Sequence, residues 1–129
     1  MSDGHDLTEG TTITHSRTFT KSDVDAFTEV SQDENDVHRE ADEEGRLIVH
    51  GLLTATLPTK IGGDLSYIAR ELNNTFHQPV YTGEEIRCEM TITDIRDRDD
   101  GIRMETEFVC RNEDDAVVLT GDTDGVIYD

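Results

Sequence analysis

Asp33, Asn35 and His38 fall within six residues of one polar stretch in this 129-residue chain. A carboxylate and an imidazole held close together can orient a water molecule and move its proton, the least equipment that general acid–base chemistry needs. Spacing alone is a weak warrant, because a chain with 30 Asp and Glu and 5 His brings such groups together often, and a solvated loop without chemistry fits it too. Further on, His50-Gly51 stands at the head of the most apolar stretch, LIVHGLLTATLPTKI over 47–61. A helix begun there presents unpaired backbone N–H groups and a favourable dipole to developing negative charge, and glycine lets a ligand carbonyl approach closely. FHQPVYTG over 76–83 reads as a strand end followed by a proline turn, with His77 an edge histidine. The HExxH, paired CxxC, GxSxG and phosphate-loop patterns do not occur, so zinc-peptidase, redox, serine-hydrolase and nucleotide chemistry have no support, and no metal is expected.

The elements that must carry these residues follow from patterning. Thr11 to Phe19 alternates β-branched and polar residues and predicts a strand; Thr20 or Ser22 then caps a helix whose Val24, Phe27 and Val30 share one face. SQDENDVHREADEEGR over 31–46 is too polar for a core element and predicts a long loop with one helical turn. The apolar stretch predicts a buried helix from about His50, stopped or kinked near Leu57 by Pro58 and ended by Gly62-Gly63. Four strands follow, over 65–76, 85–96, 102–111 and 116–128, separated by turn residues. Strand, helical insert and antiparallel meander make an α+β domain whose sheet can wrap one buried helix.

Length allows one domain, read as 11–129 after a loose arm over 1–10. The formal charge of −19 excludes nucleic acid and anionic membrane as partners, since phosphate binding needs a clustered basic face. Lysine occurs only at Lys21 and Lys60, the remaining basic residues being arginine, a surface composition that suits high salt. No leader or membrane-length apolar run is found, so a cytoplasmic protein is expected. Cys88 and Cys110 lie in separate predicted strands and read as buried free thiols.

Taken together, these segments resemble the MaoC-like enoyl-CoA hydratases, a hot-dog-fold family marked by a strand and short helix, a D-x-N-P-x-H loop and an apolar H-G helix. The matching runs are FTKSDVDAFTEVSQDENDVH from Phe19 to His38, IVHGLL from Ile48 to Leu53, and FHQPVYTGEEI from Phe76 to Ile86. The resemblance implies an antiparallel sheet wrapped around one central α-helix and (R)-specific hydration of trans-2-enoyl-CoA. Asp33 and His38 would be the catalytic pair, Asn35 a supporting polar residue, and Gly51 the amide donor to the thioester oxygen. Thr59 and Gly62 would line the acyl pocket. It further implies a homodimer, no cofactor beyond the coenzyme A thioester that serves as substrate, and a place in fatty-acid or polyhydroxyalkanoate metabolism. Arg70, Arg87 and Arg103 are candidates for the coenzyme phosphates because they lie in or near predicted strands. The family's proline is Asp36 here, the span from His38 to His50 is short, and Pro58 interrupts the helix. A hot-dog thioesterase and a non-catalytic acyl-CoA-binding module are the competing readings.

Overall fold

The computed structural model describes residues 7–129. Its elements run β1 (Thr12–Thr18), α1 (Lys21–Ser31), α2 (Asp36–Arg39), α3 (Gly51–Thr54), α4 (Thr56–Asp64), β2 (Ile68–Phe76), β3 (Glu85–Arg98), β4 (Gly101–Arg111) and β5 (Val117–Tyr128). The strands form one antiparallel sheet in the order β1-β3-β4-β5-β2, and α4 packs against β1, β2 and β3. This is the expected α+β hot-dog arrangement, with the helix held in the curl of the sheet. Of the arm expected over 1–10, residues 1–6 lie outside the described residues. Leu7 packs against the core, and the Gly10 N–H donates to the Ile92 carbonyl at 2.8 Å.

Period-two alternation makes the sheet one-sided. Ile86, Cys88, Met90 and Ile92 on β3, and Met104, Thr106, Phe108 and Cys110 on β4, are all buried, while the intervening residues are polar or partly exposed. Cys88 and Cys110 sit opposite each other across these strands as free, buried thiols. Against this face lie Leu53, Leu57, Ile61 and Leu65, spaced four apart so that they form one stripe down α3–α4.

Three helix expectations need correcting. Pro58 does not end the helix near Leu57. The break falls earlier, at Ala55, so Pro58 stands in the first turn of α4, where an N–H would have no helical partner anyway. Gly62 and Gly63 lie inside α4, which ends after Asp64. On α1 a capping box between Thr20 and Asp23 starts the helix and Val24 is buried, but Val30 is 81% exposed. Steps of three residues fall short of a full turn, so two of them carry Val30 about 120° off the face that Val24 occupies.

Among the described residues no further strand pairs with β1 or β2 at the sheet edges, and the β2 edge exposes Ile68, Leu72 and Phe76. Among the described residues no helix is long and apolar enough to cross a membrane.

Candidate active site

The polar loop is tied down by backbone more than by packing. Segment 47–49 is stitched to segment 80–82: Val49 N–H donates to Val80 O, Thr82 N–H to Leu47 O, and Leu47 N–H to Thr82 Oγ1 at 3.0 Å. The Ile48 N–H reaches back to the Val37 carbonyl at 3.0 Å, fixing the single turn α2 against this seam. Asn35 caps α2, its Oδ1 accepting from the Val37 N–H at 3.2 Å. Asp36 occupies the first helical position, where either proline or an acidic residue suits a helix start. Its carboxylate turns away to Arg39, at 3.1 Å.

These ties bring His38 and Asp33 together. His38 is 8% exposed, and its Nδ1 lies 2.7 Å from the Ile48 carbonyl oxygen. A carbonyl only accepts, so Nδ1 carries the proton and the opposite nitrogen of the neutral ring, Nε2, is left with a lone pair. Nε2 faces Asp33 Oδ2 at 3.7 Å, too far for a direct hydrogen bond and suited to a bridging water. The other carboxylate oxygen, Oδ1, is occupied by the Asn35 N–H at 3.3 Å. Two acceptors therefore face one another, and a water between them can donate a proton to each while its own lone pairs point outward.

His50 closes the floor of the site. Its ring stacks on His38 with centroids 3.7 Å apart and planes at 18°. Its Nε2 lies 3.1 Å from the Asp33 backbone oxygen. Burial holds its pKa below the usual histidine value, and the His38 ring adds to this, while the Asp33 carbonyl works in the opposite direction. Asp33, His38 and His50 are close enough together to suggest a metal site, but the stacked rings send their in-plane lone pairs side by side instead of converging on one point.

Asp33, His38, His50 and Gly51 line a common cleft of about 680 Å³ with Phe27, Phe76 and the 77–80 turn. The first helical bond runs from the Thr54 N–H to the His50 carbonyl, leaving the Gly51 N–H outside the ladder at the cleft. The Phe76 ring covers Gly51 so closely that a Cβ there would meet Cε1 at 2.7 Å. The structure thus brings Asp33, His38 and Gly51 together, with Asn35 acting through the loop. It does not bring Thr59 and Gly62 to this cleft: they line a separate hollow of about 180 Å³ with Tyr67, Leu72 and Met90. Arg70 and Arg103 border one surface depression with Arg98, the Arg103 guanidinium being held by Asp124, whereas Arg87 lies elsewhere beside Glu89 and Asp115. Phe27, Phe76 and the stacking role of His50 were not foreseen, since neither aromatic spacing nor a lone H-G dipeptide reveals a tertiary contact.

Comparison with known proteins decides the family. Residues 6–113 match the profile of the MaoC like domain. The chain belongs to the MaoC-like family. A 3-hydroxyacyl-[acyl-carrier-protein] dehydratase, mitochondrial, from Arabidopsis thaliana is 29% identical over 94% of this chain and 78% of its own length. Among solved structures, the (R)-hydratase from A. caviae involved in PHA biosynthesis superposes with a TM-score of 0.80 and 26% identity, covering 94% of this chain and 97% of that one. The R-hydratase PhaJ1 from Pseudomonas aeruginosa, unliganded, gives a TM-score of 0.83 at 20% identity, covering 95% and 83%. The MaoC-like chain therefore shares the hot-dog fold with known (R)-hydratases and its family membership with dehydratases.

Proposed function

We propose that this MaoC-like protein is an (R)-specific enoyl-CoA hydratase, adding water across the 2,3 double bond of trans-2-enoyl-CoA and, in reverse, dehydrating (R)-3-hydroxyacyl-CoA. The observation that carries the reading is the pair of acceptors, His38 Nε2 and Asp33 Oδ2, facing each other at 3.7 Å in the cleft that also receives the Gly51 N–H. The water they hold attacks C3 with an outward lone pair. One of its protons passes to the pair, and a proton is delivered to C2 on the same face. Negative charge gathers meanwhile on the thioester oxygen, where the Gly51 amide donates; one such donor is commonly worth about 3–4 kcal/mol.

In this reading the acyl chain must pass from the cleft into the separate hollow beside Thr59 and Gly62, and chains longer than four carbons are accepted. The exposed Ile68, Leu72 and Phe76 of the β2 edge suit pairing with a second copy, giving a homodimer. The named activities of the relatives support a polyhydroxyalkanoate or fatty-acid role, the product being a monomer precursor in the first case.

The test is loss of enoyl absorbance with crotonyl-CoA and octenoyl-CoA in high salt, for the wild type and His38→Gln. Turnover is expected in the wild type and a loss of about 10²- to 10⁴-fold in the variant. Release of free thiol from a saturated acyl-CoA would instead establish a thioesterase. Binding of acyl-CoA without turnover would establish a non-catalytic module.

A further inference from the structure

His50 has no part in the proton transfers just described, and its surroundings are hard to explain by stability. The side chain is 2% exposed. Its Nε2 lies 3.1 Å from the Asp33 carbonyl oxygen and 3.3 Å from Thr28 Oγ1. The Thr28 hydroxyl gives its own proton to the Val24 carbonyl at 2.8 Å, and a carbonyl only accepts, so the His50 proton resides on Nε2. Nδ1 is then a bare acceptor, buried and, among the described residues, without a hydrogen-bond partner. Leaving such a group unpartnered is destabilising. An apolar side chain of similar volume would avoid that loss and still pack against Phe27, whose ring centroid is 4.9 Å away.

What histidine contributes beyond bulk is an N–H aimed at Asp33 and a flat face under His38. Asp33 sits in a polar loop with its side chain 55% exposed, so the His50 N–H is a rare anchor between its backbone and the interior. The His38 ring is held at one point, by its Nδ1 bond to Ile48, and is free to tilt about that bond unless something lies flat against it. The His50 ring does so, at 3.7 Å and 18°. We propose that His50 is a positioning residue for the Asp33–His38 pair: its Nε2–H fixes the Asp33 backbone, and its ring face fixes the plane of the His38 imidazole. The inference rests on the hydratase reading for its kinetic consequence, though not for its geometry. Misplacing a reacting group by about 1 Å costs on the order of 100-fold in rate, which sets the scale of the effect.

The test compares His50→Phe, which keeps a flat ring without the donor, with His50→Gln, whose amide N–H can take the place of Nε2 without the aromatic face. His50→Phe is expected to lower kcat by about 10- to 100-fold with KM changed by less than about threefold, because a flat ring of similar size still occupies the floor of the cleft while Gly51, Phe27 and Phe76 keep their places. It should unfold at or above the wild-type temperature, since the unpartnered Nδ1 is gone. His50→Gln is expected to recover part of the lost kcat. A purely structural role predicts the opposite, with activity following the folded fraction. A folded His50→Phe or His50→Gln with kcat within about twofold of wild type overturns the proposal.

Histidine NMR gives a second arm that needs no turnover. The wild type should show a protonated Nε2 and an unprotonated Nδ1 at His50, with a slowly exchanging Nδ1 proton at His38. Loss of that slow proton in His50→Gln supports the positioning role, and its persistence there counts against it. An inactive wild type that shows the same NMR behaviour would refute hydration alone.

Discussion

Replacing Asp33 by Asn changes only one atom, yet the geometry makes it a severe substitution. The Asn35 N–H donates to Asp33 Oδ1 at 3.3 Å, so the new side chain must keep its amide oxygen at that position and send its NH₂ group to where Oδ2 stood. There it faces His38 Nε2, 3.7 Å away, whose lone pair is free because Nδ1–H is committed to Ile48. A shift of about 0.7 Å brings the two to ordinary hydrogen-bonding distance, and the amide then takes the place of the water. The expected loss in kcat is about 10²- to 10⁴-fold, or about 2.7–5.5 kcal/mol of transition-state stabilisation. Asp33→Ala cannot seal the gap, and a water can still donate to His38, so the cruder variant should keep more activity than the closer mimic. With the side chain half exposed, stability should move by no more than about 0.5 kcal/mol in Asp33→Asn. The assay is the decay of enoyl absorbance in high salt, with thermal unfolding run alongside. Asp33→Asn retaining more than about a tenth of wild-type kcat, or outperforming Asp33→Ala, would refute the bridging-water reasoning.

Other consequences follow from burial, charge and space. His50 and His15 both have pKa values held below 6.5, chiefly by burial. The unfolded chain thus binds more protons than the folded one as pH falls through and below 6.5, and stability should drop there; thermal unfolding at pH 7.5 and 5.5 should show it, less steeply in His50→Gln. Asp23 and Asp124, held below 3.8 by the Thr20 backbone and the Arg103 side chain respectively, should add their losses only at lower pH. With a charge of −19, unfolding temperature should rise between 0.1 and 1 M KCl as the screening length falls from about 10 to about 3 Å, and a flat response would remove the salt-adapted reading. Gly62→Leu should fill the hollow beside Tyr67 and lower kcat/KM for octenoyl-CoA at least about tenfold while sparing crotonyl-CoA; equal losses on both would detach that hollow from the acyl chain.

Much of the fold could be read directly because its signals are local. Alternation over 85–96 and 102–111 marked β3 and β4 because one face of each strand is buried and the other is not. A capping residue at Thr20 or Ser22 marks the start of α1, and the structure selects Thr20. The failures are also local in origin. In an unbroken helix Pro58 would remove a hydrogen bond, but the helix breaks at Ala55, which puts Pro58 in the first turn of α4. Spacing alone puts Val30 on one face with Val24 and Phe27, although nothing in the spacing says where the helix leaves the core.

The site was legible in its members more than in its arrangement. Asp33 and His38 are close in sequence, so a short loop sufficed to suggest them. What converts proximity into chemistry comes from distant segments. The Ile48 carbonyl chooses the tautomer of His38, and it is presented at the right place by the seam between 47–49 and 80–82. His50 supplies the ring beneath, twelve residues beyond His38 and across a loop with no apolar periodicity. The same seam accounts for the tolerance of Asp36 where the resembled family has proline: α2 is held by the Ile48–Val37 bond and the Asn35 cap, so a rigid residue at its first position is not needed to aim His38. The short connection between Arg39 and Ile48 then serves to keep Ile48 within reach of His38, and lengthening it should loosen that hydrogen bond before it disturbs the core.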